Sequence, residues 1–145
     1  MRRSEYLTEK HDFRKLPASL LMEQGVKSCR LSDSGRHVAS ELTQFNIGSL
    51  PVVDDDGMLV GLVSEFDLLD ILMKGRELKD VRAEQIMSRD VKFVHEDTPV
   101  DEIIRLLETD HLIRVPVVTD GKLAGIVARR DILFGYIKST AEYWP

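Results

Sequence analysis

One stretch of this chain is written twice, and that constrains its fold more than any other feature. Residues 21–53 lie over residues 86–118 at a constant offset of 65. Leu21-Met22 falls on Ile86-Met87, Val26-Lys27 on Val91-Lys92, Leu42 on Leu107, and Pro51-Val52-Val53 on Pro116-Val117-Val118. Beyond this point the offset drops to 64. The missing residue lies between Asp54-Asp55-Asp56-Gly57 and Thr119-Asp120-Gly121, turn sequences in which a change of one residue is tolerated. Gly61-Leu62-Val63 then meets Gly125-Ile126-Val127, and Asp67 meets Asp131, while Ser64 meets Ala128. A repeat of this period means two copies of one supersecondary unit, neither able to bury its apolar faces alone.

Each copy reads as β-α-β-β-α. A short strand near residues 27–31, and again near 91–95, precedes a helix. In the second copy Thr98-Pro99-Val100-Asp101 predicts the helix start, with threonine as cap, proline in the first turn and an acid behind it. Ile103, Ile104, Leu106 and Leu107 then recur at helical spacing. In the first copy Asp33 holds the place of Thr98, and Val38, Ala39 and Leu42 supply a weaker apolar face. Strands are expected at 50–53 and 115–118, then at 58–63 and 122–127 across the Asp-Gly turns, with closing helices at 65–73 and 129–138. The organisation expected is an N-terminal extension (1–17), repeat one (18–73), a linker (74–82), repeat two (83–138) and a tail (139–145). Packing the two copies about a pseudo-twofold axis would make one shared core. Residues 1–17 are expected either to add a helix or to stay mobile; Tyr143 and Trp144 are candidates for packing on a partner subunit.

Composition narrows the function classes. Of 145 residues, 43% are hydrophobic and 31% charged, a soluble globular balance. The net charge of −5 argues against a basic nucleic-acid face. No apolar run approaches the roughly 20 residues that span a bilayer, and the arginines at positions 2 and 3 lack the apolar stretch of a signal peptide. The lone Cys29 allows no internal disulfide, so the expectation is a cytoplasmic protein with a buried, inert thiol. His11, His37, His95 and His111 lack metal-ligand spacing, and no nucleophile-base framework or phosphate-binding glycine loop is present. Neither a metal nor catalysis is expected.

The doubled pattern P-V-V, glycine turn, then G-h-h-S/T-x-x-D (h apolar) resembles the paired cystathionine-β-synthase (CBS) domain, or Bateman module, over residues of about 18–138. The resemblance implies an α/β fold of tandem CBS repeats that often dimerises. It also implies adenosine-containing ligands in the clefts between repeats (AMP, ADP, ATP, NAD or S-adenosylmethionine), and regulation of another protein rather than catalysis.

Carried over by position, Asp67 with Ser64 marks one ribose site and Asp131, beside Ala128, the other. The adenine walls implied for the Asp67 cleft are Met87, Lys92 and Leu112-Ile113; for the Asp131 cleft they are Met22, Lys27 and Ile47-Gly48. Leu62 and Ile126 would line their own clefts. Phosphate needs cations or a helix N-terminus. Arg114 stands before the second P-V-V strand where copy one has Ser49, and Arg129-Arg130 open the last helix where copy one has Glu65-Phe66. Phosphate is therefore expected at the Asp131 cleft.

The same residues have plainer readings. Ser64-x-x-Asp67 is also a helix capping box, although Ala128 cannot cap and Asp131 persists. Arg114, Arg129 and Arg130 could be solvated charges, Met22 and Met87 core filler, and Asp54-Asp55-Asp56 a hairpin turn. The leading functional expectation is an adenine-nucleotide sensor acting on an effector protein, as a homodimer. The alternatives are a dimeric scaffold that binds no ligand, or an S-adenosylmethionine or NAD binder.

Overall fold

The computed structural model describes residues 12–140. The tail aromatics Tyr143 and Trp144, and most of the N-terminal extension, lie outside the described residues.

The fold is mixed α/β, with two three-stranded sheets. In the first, β1 (Cys29–Arg30) pairs parallel with β2 (Ser49–Val53), which pairs antiparallel with β3 (Leu59–Ser64). In the second, β4 (Val94–His95) pairs parallel with β5 (Arg114–Thr119), which neighbours β6 (Lys122–Ala128). The helices are α1 (Gly35–Phe45), α2 (Glu65–Met73), the short α3 (Ala83–Ile86), α4 (Val100–Thr109) and α5 (Arg129–Thr140). The β-α-β-β-α order expected of each copy is observed. The brief turns at Phe13–Lys15, Ala18–Leu20 and Leu78–Asp80, and α3, were not expected.

The helix starts differ from expectation by one residue, for a shared reason. Thr98 accepts the His95 N–H on its hydroxyl at 3.0 Å, and Pro99 takes the cap position of α4 with no side-chain bond. Asp33 does the same work in copy one, accepting the Arg30 N–H at 2.8 Å, while Ser34 caps α1 through the His37 N–H at 3.1 Å. The oxygens of Thr98 and Asp33 are spent on closing the strand-to-helix turn. The acid run behaves as a turn: one Asp54 oxygen accepts the N–H groups of Asp56 and Met58, both at 2.9 Å, and Gly57 has φ +82°. The second copy makes a tighter turn with Asp120 and Gly121 at φ +52° and +79°.

The compact units do not coincide with the sequence repeats. One unit, called here the Asp67 unit, comprises residues 27–91 with 121–123; the other, the Asp131 unit, comprises, of the described residues, 12–26, 92–120 and 124–140. Each repeat surrenders its opening segment. In the Asp131 unit, Ala18 donates to the Thr98 carbonyl and Ser19 to that of Glu96, both at 2.9 Å, and Glu23 bridges Ile126. In the Asp67 unit, Ala83 donates to the Asp33 carbonyl at 2.8 Å and Ser88 bridges Leu62. An edge strand exposes unpaired backbone groups. The opening segment covers that edge on β3 and on β6.

Each unit has its own core. Val38, Leu42, Leu50, Val52, Val63 and Leu68 fill the Asp67 unit around Cys29, which is 2% exposed. Val100, Ile103, Leu107, Val115, Val117 and Val127 fill the Asp131 unit, joined by Leu16, Ala18, Leu20 and Leu21 from the opening segment.

Candidate functional site

The same construction recurs at the last hairpin strand of each unit. In the Asp131 unit, Glu23 and Ile126 exchange backbone hydrogen bonds of 2.8 and 3.0 Å. That register lays Met22, 8% exposed, across Gly125: a β-carbon there would stand 2.7 Å from the Met22 sulfur and 3.0 Å from the Glu23 carbonyl. In the Asp67 unit, Leu62 and Ser88 exchange bonds of 3.0 and 2.9 Å, and Met87 lies across Gly61. The glycine of each G-h-h-S/T-x-x-D phrase is required by this approach. Met22 and Met87 therefore sit where their copy's opening segment meets the other copy's closing motif.

Both motif aspartates serve their own helices with one oxygen. Asp67 accepts the Ser64 N–H at 2.8 Å, and Ser64 accepts the Asp67 N–H at 3.3 Å, a complete capping box. Asp131 accepts the Ala128 N–H at 2.8 Å with no hydroxyl to reciprocate. In each carboxylate it is Oδ2 that caps; Oδ1 accepts no hydrogen bond among the described residues. The carboxylates are half-buried.

The head of the preceding strand meets each closing helix. Arg129 donates its N–H to the Ile113 carbonyl at 3.0 Å, and Glu65 donates to that of Gly48 at 3.0 Å. Arg114 and Ser49 follow directly. Arg114 is half-buried, and burial lowers its guanidinium from the ordinary arginine value, opposed by the nearby carboxylates of Glu23 and Asp131. Arg129 and Arg130 are exposed in the first turn of α5, where the helix dipole favours an anion. In the Asp67 unit that turn carries Glu65 instead.

Of the residues expected to wall the clefts, Met87, Lys27 and Ile47-Gly48 lie in the Asp67 unit, and Met22, Lys92 and Leu112-Ile113 in the Asp131 unit; the chain crosses between units at residues 26–27 and 91–92. Lys27 stands over the ring of Phe45, 4.3 Å from its centroid. Ile126 is buried and Leu62 half-buried beside their glycines. Glu23 was not anticipated. Its sequence signal was available: it is the one charged residue beside Met22, and Ser88 stands at the equivalent place beside Met87.

Comparison with known proteins follows the same division into repeats. The CBS domain model matches residues 18–74 and 83–138. The uncharacterized protein YlbB of Bacillus subtilis is 34% identical over 116 residues, covering 77% of this chain and 76% of YlbB. Other relatives carry the matched segment as 53% or 19% of a longer chain. Among solved structures, the CBS domain pair of protein MJ0100 in complex with 5′-methylthioadenosine and S-adenosyl-L-methionine is similar at TM-score 0.71 and 32% identity, covering 83% of this chain and 96% of that one. CBSX2 in complex with AMP is similar at TM-score 0.77 and 26% identity, covering 87% and 99%.

Proposed function

The chain belongs to the CBS domain family, and from that premise we propose that it is a regulatory sensor that binds an adenosine-containing ligand of the AMP, ADP or ATP class and catalyses nothing. In the Asp131 unit the ligand ribose takes the second carboxylate oxygen of Asp131. Its phosphate meets Arg114 and the first turn of α5, with Arg129 and Arg130 nearby. Adenine lies against Met22, Ile126 and the Leu112-Ile113 backbone. In the Asp67 unit the same roles fall to Asp67 and Ser64 for ribose, and to Met87, Leu62 and Ile47 for the base. Phosphate prefers the Asp131 unit, because Ser49 and Glu65 stand where Arg114 and Arg129 do. Lys27 and Lys92 supply outer positive charge.

The single observation that carries this reading is the 3.0 Å bond from the Arg129 N–H to the Ile113 carbonyl, which joins the first turn of α5, with Asp131, to the head of β5, with Arg114, while Met22 lies across Gly125 of β6. It sets a cation, a carboxylate oxygen and an apolar wall together, as a nucleotide requires. Two solved relatives hold adenosine compounds. Binding acts by differential affinity for two conformations, passed to an effector protein. The exposed apolar faces of α2 and α5 support a homodimer. Among the described residues no helix is long and apolar enough to cross a membrane, in keeping with a cytoplasmic setting.

Thermal denaturation with AMP, ADP, ATP, NAD and S-adenosylmethionine tests this. A ligand at 100 times its Kd adds about 2.7 kcal/mol. A second reading, a scaffold without a ligand, is favoured by the use of Asp67 and Asp131 as helix caps and by the absence of a hydroxyl at Ala128. No stabilisation by any of the five compounds selects the scaffold.

A further inference from the structure

The closing helices α2 and α5 are related by the offset of 64, yet their outward faces differ in two linked places. On α2 that face carries Phe66 and, about one turn on, Asp70; on α5 the same two positions hold Arg130 and Phe134. Each helix has one aromatic ring and one charge, and α5 reverses both their order and the sign. The contrast runs along the helices. In α2, Glu65, Asp67 and Asp70 are followed by Lys74 alone, whereas α5 sets Arg129, Arg130 and Lys138 against Asp131. Asp70 is paired with Lys74 at 2.9 Å, but the two side chains are 61% and 62% exposed, so the pair is weak and open to exchange. The faces also differ in shape. Phe66 and Met73 stand out on α2 as a ridge, 82% and 86% exposed. Between α4 and α5 lies a groove of about 480 Å³, floored by Ile104, Leu107 and Ile132 and rimmed by Glu108, His111 and Arg129.

We infer that α2 of one subunit seats in the α4–α5 groove of a second copy of this chain, antiparallel to its α5. The inference rests on the homodimer reading above and deepens it, by deciding which faces meet. The reversed order of ring and charge selects the direction. Run antiparallel, Phe66 comes level with the partner's Phe134 while Asp70 comes level with the partner's Arg130. A parallel seating sets Asp70 against the partner's Phe134 instead. Packing α2 on α2 opposes Glu65 and Asp70 to their own counterparts, and α5 on α5 opposes Arg129 and Arg130 to theirs; like charges so placed repel. Area points the same way. A stable dimer buries about 800 Å² per partner, and a whole buried aromatic supplies only about 150–250 Å². The four outward side chains of α2 fall short of that total alone, and a helix laid in a groove adds the groove walls to the contact.

Charge reversal on the full chain tests the pairing, read as the dimer Kd by analytical ultracentrifugation. Asp70→Lys and Arg130→Asp each weaken the dimer by roughly two- to fivefold, the effect of one exposed ion pair. Both changes in one chain recover most of the loss, and salt at about 0.5 M weakens the wild-type dimer. If like helices faced each other, neither single reversal would weaken it. Cross-linking gives a reading independent of charge. Leu69→Cys chains mixed with Glu108→Cys chains, both also carrying Cys29→Ala, are joined to each other by a short bis-maleimide, and neither is joined to itself at a comparable rate. A dimeric wild type whose Leu69→Cys chains link to themselves instead, or do not link to Glu108→Cys chains, overturns the pairing and leaves the homodimer standing. So does a double reversal that recovers nothing. A monomeric wild-type chain removes the pairing and the homodimer together, and leaves the adenosine-binding reading untouched.

Discussion

Met22 lies across Gly125 so closely that a single methyl group on the glycine would collide with the methionine sulfur, 2.7 Å away, and with the Glu23 carbonyl at 3.0 Å. The backbone carbonyl cannot retreat without breaking the two hydrogen bonds that join Glu23 to Ile126. Gly125→Ala is therefore an overpacking substitution. It costs about 1–3 kcal/mol, and the midpoint of thermal unfolding, followed by circular dichroism, falls by about 2–4 °C per kcal/mol. Met22→Ala in the same chain removes the sulfur and recovers part of the loss; the remainder measures the carbonyl. A Gly125→Ala protein as stable as wild type would mean that Met22 does not seat there.

Asp131 has two separable jobs, and two substitutions divide them. Its Oδ2 accepts the Ala128 N–H at 2.8 Å. Asp131→Asn keeps an acceptor for that N–H and removes the charge; Asp131→Ala removes both. On the sensor reading, both variants lose nucleotide affinity by tenfold or more, because a charged acceptor contributes about 1.5–3 kcal/mol. Only Asp131→Ala loses helix-cap stability, about 0.5–2 kcal/mol. Urea denaturation and calorimetry on the pair give the two quantities separately. If Asp131→Asn binds nucleotide as wild type does, the aspartate is a cap and nothing more.

Most of the architecture was legible before any coordinates, because strand and helix periodicities are written over enough residues to be read. The closing helix expected at 65–73 is Glu65–Met73, and the strands expected at 50–53 and 58–63 are Ser49–Val53 and Leu59–Ser64. What was not legible was the crossing of the chain. The turn Ala18–Leu20 and the helix Ala83–Ile86 are too short to show a period, and nothing local to residues 18–26 says whose sheet they cover. That is a matter of which exposed strand edge is nearest, a tertiary fact. Glu23 escaped notice for a different reason: reading by repeat favours what both copies keep, and its counterpart is Ser88.

Cys29 titrates far from its ordinary range. Burial, and then the carboxylates of Asp33 and Glu41, push its thiol up to about 12 from 9.0. A raised thiol pKa favours the folded state fully below the unfolded value, and this contribution is lost as pH rises through the folded value. Between about pH 9 and 12 the unfolded thiol ionises while the native one does not, which costs up to about 1.4 kcal/mol per pH unit. Urea denaturation of the wild type against Cys29→Ala between pH 8 and 10.5 checks this: the wild type loses more stability as pH rises, and the variant lacks that part of the slope. The native thiol is also inert to thiol reagents at pH 8 until the protein unfolds. Prompt labelling of the native protein would contradict its burial.

The outer face of α2 is the most exposed apolar surface of the Asp67 unit. Leu68 and Ile71 turn inward, while Phe66, Leu69, Leu72 and Met73 stand outward, with Phe66 82% and Met73 86% exposed. In the Asp131 unit α5 likewise exposes Leu133, Phe134, Tyr136 and Ile137. Scattered apolar residues are ordinary on a surface; a contiguous set along one helix marks an interaction face. A stable dimer buries about 800 Å² per partner, and an aromatic ring near the middle of the face contributes strongly. The wild-type chain accordingly elutes as a dimer in size-exclusion chromatography with light scattering. Phe66→Glu combined with Met73→Lys shifts it to monomer at micromolar concentration and leaves the fold intact, since neither side chain belongs to the core. A monomeric wild-type chain, or a double variant that remains dimeric, would show that the α2 face does not hold the two copies together.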